Sequence, residues 1–261
     1  MTTLQFLLGA LAGSAVGFTL GLVGGGGSIL AVPLMVYLVG VDDPHVAIGT
    51  SALAVAANAL IGLTNHARKR NVKWRCAAAF AMAGVVGAWF GAMLGKAVDG
   101  QKLLALFALL MLTVAGLMVR SRGLEGDPTV VLNRGNAPRL LGSGTATGLL
   151  SGFFGIGGGF LVVPGLIAST GMPILFAVGS SLVAVTAFGL TTALSYAVSG
   201  LVAWPLAGIF IGGGALGSLF GTRLATRLAD RKGALNMVLA RLIVVVALYM
   251  LYRTVSEFGW I

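Results

Sequence analysis

The sequence predicts an all-α polytopic membrane protein made of two homologous halves, with about 8 to 10 transmembrane elements. Of its 261 residues, 57% are hydrophobic and 9% are charged, whereas soluble domains carry roughly 25% charged residues. The apolar residues form stretches of about 20, the length at which a helix crosses a bilayer. A glycine-rich segment ending in Val-Pro occurs twice, and each copy is predicted to form a glycine-broken or re-entrant helix.

The composition also excludes several other classes of protein. The 41 glycines follow no triplet period and lie among apolar residues, which excludes collagen and a flexible linker. One cysteine, Cys76, rules out a disulfide framework, and two histidines cannot complete a metal shell. We therefore expect no metal and no cofactor. The net charge of +10 comes from cations that flank apolar stretches, so the expected partner is the lipid bilayer and not nucleic acid.

The elements follow from where charges, prolines and polar clusters interrupt the apolar stretches. Residues 4–40 and 140–171 are each too long for one straight span, at roughly 50 Å as a helix, and glycines divide both. Residues 4–23 have no basic segment before them and no cleavage site after them, so we interpret them as a retained span. Simple spans are predicted at residues 44–65, 74–95, 102–119, 173–199, 204–224 and 234–252.

An internal duplication relates the two long regions. GLVGGGGSILAVP at residues 21–33 matches GFFGIGGGFLVVP at residues 152–164, at an offset of 131. IGTSAL at residues 48–53 matches VGSSLV at residues 178–183, at an offset of 130. We therefore divide the chain into a first half (1–120), a cytoplasmic linker (121–139) and a second half (140–261).

The orientation of the halves can be predicted from the loop cations. With five crossings per half the halves are inverted, and thirteen Lys and Arg residues share one side against three on the other. With four crossings per half the repeats are parallel, and the split is ten against six. The first arrangement agrees better with the concentration of cations on the cytoplasmic side and favours inverted repeats.

The two glycine clusters are the candidate binding site. Irregular backbone is tolerated at membrane depth where protein or a wet cavity satisfies it, and paired broken helices form substrate sites in many transporters. Half-helices beginning near residues 29–32 and 160–163 would direct partly positive amide groups at an anion. The alternative is that the glycines only allow close helix packing. The cluster residues are Gly25, Gly26, Gly27, Ser28, Gly157, Gly158 and Gly159.

Hydroxyl residues repeat on the span after each cluster. Thr50 and Ser51 in the first half match Ser180 and Ser181 in the second. Such hydroxyls can donate to an anion while leaving the site neutral. The alternative is that they bond to carbonyls of their own helices.

Four further polar residues are candidates. Asn58 lies in mid-span, where its amide needs partners from substrate or from a neighbouring helix. Arg241 lies within the last span, where it either meets an anion or extends toward the surface. His66 and His45 lie at opposite ends of one span and are candidates for proton coupling, with structural roles as the alternative.

Together these motifs resemble the sulfite exporter TauE/SafE family, also called the toluene sulfonate uptake permeases. The resemblance rests on the duplicated glycine cluster with Val-Pro and on the Gly-Thr-Ser and Gly-Ser-Ser motifs, and it covers residues 4–252. It implies a multi-pass transporter of sulfur-containing anions such as sulfite or sulfoacetate, placed in the bacterial cytoplasmic (inner) membrane. It specifies neither the anion nor the direction of transport.

We therefore predict a secondary transporter that holds a small anion near the bilayer midplane and works by alternating access. The alternatives are an anion channel of the same architecture and a transporter of a non-sulfur organic anion. An enzyme is not expected, because no nucleophile–base set, carboxylate pair or metal cluster can be placed at one depth. Small-residue runs such as residues 212–221 can pack within one protomer or form a homodimer.

Overall fold

The computed structural model describes residues 3–120, 126, 127, 129–155, 159–228, 244–250 and 252, and every element in these ranges is a helix. The helices are α1 (Thr3–Val23), α2 (Ala31–Pro33), α3 (Pro44–Arg68), α4 (Trp74–Ala97), α5 (Gly100–Arg120), α6 (Ala137–Phe154), α7 (Gly159–Thr170), α8 (Ile174–Val198) and α9 (Trp204–Leu228). A 3₁₀ helix (Gly24–Leu30) precedes α2, and a π-helix (Leu34–Leu38) follows it. Residues 244–250 and 252 are also helical, and residues 234–243 and 251 of the predicted last span lie outside the described residues.

Five segments of the described chain are long and apolar enough to cross a membrane. They are Thr3–Leu38, Pro44–Arg68, Trp74–Ala97, Ile174–Val198 and Trp204–Leu224. Each falls in a region predicted to span, and the simple spans differ from prediction by up to three residues at an end. Two shorter apolar helices, Gly100–Val114 and Gly159–Thr170, complete the apolar set among these residues. The predicted helical membrane protein is confirmed at this level.

Helix α3 shows how local sequence fixes an element within the fold. The Asp43 carboxylate accepts a hydrogen bond from the backbone N–H of His45, and Pro44 occupies the first turn, where its missing N–H is harmless. The helix ends where Arg70 takes a left-handed conformation. In the most apolar stretch of α3, 72% is buried inside the protein, the highest share among the five segments. Helix α3 is therefore a central helix of the bundle.

Helices α1 and α9 pack side by side and run in the same direction. A Cβ on Gly13 would collide with the carbonyl of Phe210, one on Gly17 with Gly214, and one on Gly21 would lie 2.5 Å from the carbonyl oxygen of Ser218. The Ser14 hydroxyl also donates to the carbonyl of Gly213 at 3.0 Å. Small residues every four positions thus bring the two backbones into contact, as is typical of membrane helix pairs.

Helices α4 and α6 pack in the same way. Cβ atoms on Gly87, Gly91 and Gly95 would collide with carbonyls of α6 at Thr145, Leu149 and Phe153, in the same order along both helices. The Thr145 hydroxyl donates to the carbonyl of Ala83 at 3.3 Å. Each pair joins one helix from the first half of the sequence to one from the second.

Helices α3 and α8 cross at the centre and run in opposite directions. Gly49, near the start of α3, packs against Tyr196, near the end of α8. Gly62, near the end of α3, faces Leu182, near the start of α8. The predicted duplication makes α3 and α8 equivalent, and in the structure these two helices run in opposite directions.

Both long apolar regions are interrupted at glycines, as predicted. Gly24 and Gly155 have φ of 68° and 67°, a left-handed conformation that favours glycine and ends each preceding helix. The half-helix expected to begin within residues 29–32 corresponds to Ala31–Pro33, a short α-helical segment between the 3₁₀ helix of residues 24–30 and the π-helix of residues 34–38. Four consecutive glycines favour no single helix geometry, and Pro33 removes a backbone donor. In the second half, α7 is α-helical from Gly159.

Candidate functional site

The two glycine interruptions meet inside the bundle. A Cβ on Gly25 would lie 2.6 Å from the Cα of Gly159, the first residue of α7, and 2.7 Å from Cγ2 of Val185 on α8. The backbones therefore touch at this point, which we call the glycine junction. Gly157 and Gly158 lie outside the described residues, so Gly159 is the member of the second cluster that the structure places here.

Ser181 joins the first glycine interruption to α8, a helix of the second half of the sequence. Its hydroxyl oxygen accepts a hydrogen bond from the Gly25 amide at 3.1 Å, and the same hydroxyl donates to the carbonyl of Val178 at 2.7 Å. Gly24 packs against Val178 as well. The first interruption is thus held against the first turns of α8.

The second interruption is placed against α3 in the same manner. Gly155 packs on the side chain of Ile48, and the Ser51 hydroxyl donates to the Ile48 carbonyl at 3.0 Å. Phe107 of α5 contacts Phe154 and Phe160, on either side of this interruption, with ring centroids 5.6 and 6.3 Å apart. Ser51 and Ser181 therefore hold corresponding positions beside the two interruptions.

Thr50 and Ser180 have a different task from their neighbours. The Thr50 hydroxyl accepts from the backbone N–H of Ala203 at 2.9 Å, immediately before α9. The Ser180 hydroxyl accepts from the N–H of Lys73 at 2.9 Å, immediately before α4. Thr50 of α3 thus fixes the loop that leads into α9, and Ser180 of α8 fixes the loop that leads into α4. In this conformation both hydroxyls are hydrogen-bonded to the protein backbone.

The site is closed and its described side chains are neutral. Ser28, Thr50, Ser51, Ser180 and Ser181 are all 0% exposed. Ser28 donates to the carbonyl of Gly25 at 2.9 Å. Gly26 and Gly27 are buried in the same 3₁₀ segment. Amide and hydroxyl groups in a neutral enclosure can bind an anion without holding it so tightly that it cannot leave.

Asn58 lies apart from the hydroxyl cluster, in the middle of α3. It is 0% exposed, packs against Gly214 of α9, and neither its amide nitrogen nor its amide oxygen has a hydrogen-bond partner. The equivalent residue, Phe188 of α8, packs in the same way against Gly84 of α4. Buried polar groups are normally bonded, so Asn58 has hydrogen-bonding capacity to spare in this conformation.

The two histidines occupy different environments. His66 is 2% exposed, and both ring nitrogens lack a hydrogen-bond partner. The carbonyl of Gly21 faces its ring, at a geometry short of a formed hydrogen bond. His45 is half-buried, its ring lies 6.3 Å from that of Tyr196, and its Nδ1 is also buried without a partner.

Two features near His45 were missed by reasoning from the sequence. Lys96 of α4 donates to the carbonyl of Ser195 at 2.9 Å and to the hydroxyl of Ser199 at 3.0 Å, which ties the ends of α4 and α8 together. Lys96 and His45 also line a cleft of about 460 Å³ with Asp43 and Asp99. The position of Lys96 at the end of a span was the available signal. Its partners come from residues about 100 positions away and could not be found from spacing.

Two expectations concern residues or ligands that the described sites do not provide. Arg241 lies outside the described residues. Within the described ranges no group of three or more His, Cys, Asp or Glu residues is placed to hold a metal ion. The described carboxylates Asp42, Asp43, Asp99 and Asp127 all lie outside the helices.

These elements define a multi-pass helical membrane protein with paired broken helices that meet inside the bundle, an architecture used by transporters. Residues 9–250 match the family model described as "Sulfite exporter TauE/SafE", and the chain belongs to this family. No solved structure matches the chain.

Similar proteins carry the same general description. A "Probable membrane transporter protein" of Xylella fastidiosa (strain 9a5c) is 50% identical over 259 residues, covering 97% of each chain. The probable membrane transporter protein YunE of Bacillus subtilis (strain 168) is 22% identical over 273 residues, covering 96% of this chain and 98% of its own. A Methanocaldococcus jannaschii relative with a similar name is 30% identical over 177 residues, or 64% of each chain. The family and these names indicate a membrane transporter.

Proposed function

We propose that this protein is a secondary transporter of sulfur-containing anions and that the anion binds at the glycine junction. The anion is either sulfite or an organosulfonate such as sulfoacetate. The observation that carries the proposal is the hydrogen bond from the Gly25 amide to Ser181, at the point where the two broken segments touch. This bond shows an amide donor of the first interruption directed away from its own helix. An anion oxygen can replace the serine oxygen as acceptor of this N–H, and the released Ser181 hydroxyl can then donate to the same anion.

The chemistry of the junction supports an anion over a cation. The described side chains around it offer neutral hydroxyls and backbone N–H groups, and the described carboxylates lie outside the helices. The amides at the start of α7 add partial positive charge beside Gly25. The family description adds the sulfur-containing class.

The proposed topology is two inverted halves with five crossings each. Helices α3 and α8 are equivalent in sequence and antiparallel in the structure, as inversion requires. With the cation-rich residues 68–75, 120–139 and 223–232 in the cytoplasm, the protein lies in the inner membrane of a bacterium with its first residues outside. Residues 121–139 then form the cytoplasmic linker.

The packing also indicates which parts move during alternating access. Helices α1 and α9 touch through their backbones, and so do α4 and α6. Such contacts cannot separate without losing extensive close packing, so the moving bodies are these two pairs. They would shift relative to each other around α3 and α8, carrying the junction from one face to the other.

A binding experiment tests the proposal. Purified wild-type protein would be tested by thermal shift and calorimetry with sulfite, sulfoacetate, other sulfonates, carboxylates and phosphate. We expect one sulfur anion to bind best, and Ser181→Ala and Ser51→Ala to weaken binding about tenfold or more, since hydrogen bonds to charged groups contribute roughly 1.5–3 kcal/mol. Arg241→Met tests the cation expected in the last span.

Thr186→Ala is the matched control, because Thr186 is on the same helix and bonds to the carbonyl of Leu182 in its own helix at 2.7 Å. It should bind like wild type. Binding of carboxylates or phosphate in place of every sulfur anion would contradict the substrate class. Unchanged affinity in Ser51→Ala and Ser181→Ala would show that the site is elsewhere. Flux without saturation or counterflow would indicate a channel.

A further inference from the structure

His66 is a buried ionisable residue that the junction does not use. It lies in the last turn of α3, is 2% exposed, and has two ring nitrogens without hydrogen-bond partners. A neutral imidazole has one N–H donor and one lone-pair acceptor, and leaving both unmatched in a buried place is unfavourable. An ionisable side chain kept inside a membrane bundle at this disadvantage indicates a functional role.

The surroundings of His66 connect it to the glycine junction. The Gly21 carbonyl that faces its ring belongs to the last turn of α1, where carbonyls lack partners within the helix and carry partial negative charge. Gly25 lies four residues further along the chain, just past the left-handed Gly24 that ends α1, and its amide is the one directed to Ser181. A proton on His66 would therefore act on the backbone that forms the junction.

The charged side chains described around His66 are cations. At its own helix end the charged neighbours are Arg68, Lys69 and Arg70, and Arg223 lies on α9, which packs against α3. Lys73 follows in the next loop. Helix α1 has no ionisable side chain, α8 has only Tyr196 near its opposite end, and residues 24–38 have only Tyr37. The described surroundings thus contain cations and no carboxylate to hold the imidazole protonated permanently.

We infer that His66 is the proton-binding residue through which this protein couples anion movement to protons. The inference rests on the proposed anion transport and names its coupling ion. One proton from the medium adds to the lone-pair nitrogen of the His66 ring, its new N–H points to the carbonyl end of α1, and the positive charge offsets the charge of an anion at the glycine junction. Release of the proton on the other face returns the neutral ring.

Coupling is tested with full-length protein in liposomes, with radiolabelled sulfoacetate and sulfite as the probes and the membrane potential held at zero. With one proton per anion, a gradient of one pH unit drives accumulation of up to about tenfold. We expect wild type and Thr64→Ala to show this accumulation. His66→Gln should still exchange labelled for unlabelled anion but show no accumulation. Thr64→Ala is the matched control, because Thr64 is exposed two residues away on the same helix and its hydroxyl donates to the Ile61 carbonyl of its own helix at 2.7 Å.

A second variant protects the test against misfolding. His66→Tyr introduces the residue found at the equivalent position of α8, Tyr196, which is 0% exposed with its hydroxyl also unpartnered. It too should exchange anions without accumulation. Full accumulation in either variant would overturn the role of His66 and leave the proposed transport intact. The same conclusion would follow if wild type exchanged the anion but did not accumulate it in response to the pH gradient. Absence of saturable exchange of any sulfur anion by wild type would overturn the proposed function itself, and with it this inference.

Discussion

At the scale of single residues, Arg70 and Gly200 make a natural comparison. They are equivalent in the two halves, and both have left-handed backbone, with φ of 58° and 74°. A side chain with a Cβ costs about 1–2 kcal/mol in this conformation. We therefore expect Arg70→Gly to stabilise the protein by about 1 kcal/mol. The greater conformational entropy of glycine in the unfolded chain offsets part of this gain.

Thermal unfolding in detergent measures the effect of Arg70→Gly. Gly200→Ala is the matched control, because the same reasoning predicts a lower melting temperature for it. A Cβ at Gly200 would meet no atom within 4 Å, so a loss of stability in Gly200→Ala would reflect backbone conformation alone. A lower melting temperature in Arg70→Gly would show that the Arg70 side chain contributes more than its conformation costs.

The site residues show what sequence reasoning can and cannot resolve at this scale. Repetition was enough to single out Ser180 and Ser181 as a pair. It could not distinguish them, because consecutive helical residues point about 100° apart and their partners are remote in sequence. Ser181 meets Gly25, 156 positions away, and Ser180 meets Lys73, 107 positions away. Only the folded arrangement separates the hydroxyl at the junction from the one that fixes a loop.

At the scale of helices, the pairing of α1 with α9 depends on which glycines face the partner. Gly213 points to α1, where a Cβ would collide with the carbonyl of Ala10, whereas a Cβ on Gly212 would meet nothing within 4 Å. We expect Gly213→Ala to lower stability by about 1–3 kcal/mol, the usual effect of overpacking. Gly212→Ala should be neutral or stabilising by up to about 1 kcal/mol.

Melting temperatures of the two variants under identical detergent conditions provide the measurement. Their difference matters more than either value, since both remove a glycine from adjacent positions of one helix. Equal melting temperatures would show that α1 and α9 do not approach as closely as described. If only Gly212→Ala were destabilising, Gly212 would lie in a contact beyond the described chain, such as one between protomers.

The helices themselves were largely predictable, and their partners were not. Apolar length and flanking cations located the described simple spans to within a few residues, because the bilayer imposes that length on any crossing helix. The choice of α9 as the partner of α1 depends on complementary ridges about 200 positions apart. The changes of helix type within residues 24–38 were not predicted either, because short 3₁₀, α and π segments follow one another there.

At the scale of the whole molecule, the two sequence halves are interlocked. The α1–α9 pair and the α4–α6 pair each take one helix from either half, and α3 and α8 cross between them. A glycine interruption of one half is then held by a hydroxyl of the other, as Ser181 holds Gly25. Neither half could complete the junction alone, so we expect the two halves to fold and function as one unit.

The proposed inversion of the halves can be tested on the intact protein. Lys69 and Ser199 are equivalent residues, both exposed, just beyond the ends of α3 and α8. Because α3 and α8 are antiparallel, we expect these two positions on opposite membrane faces. Cys76 is the protein's single cysteine, so Cys76→Ser gives a background for Lys69→Cys and Ser199→Cys. In intact cells a membrane-impermeant maleimide should label Ser199→Cys, whereas Lys69→Cys should react only after permeabilisation. Labelling of both positions from the same side would show that the halves are parallel, and would remove the five-crossing topology on which alternating access through the junction depends.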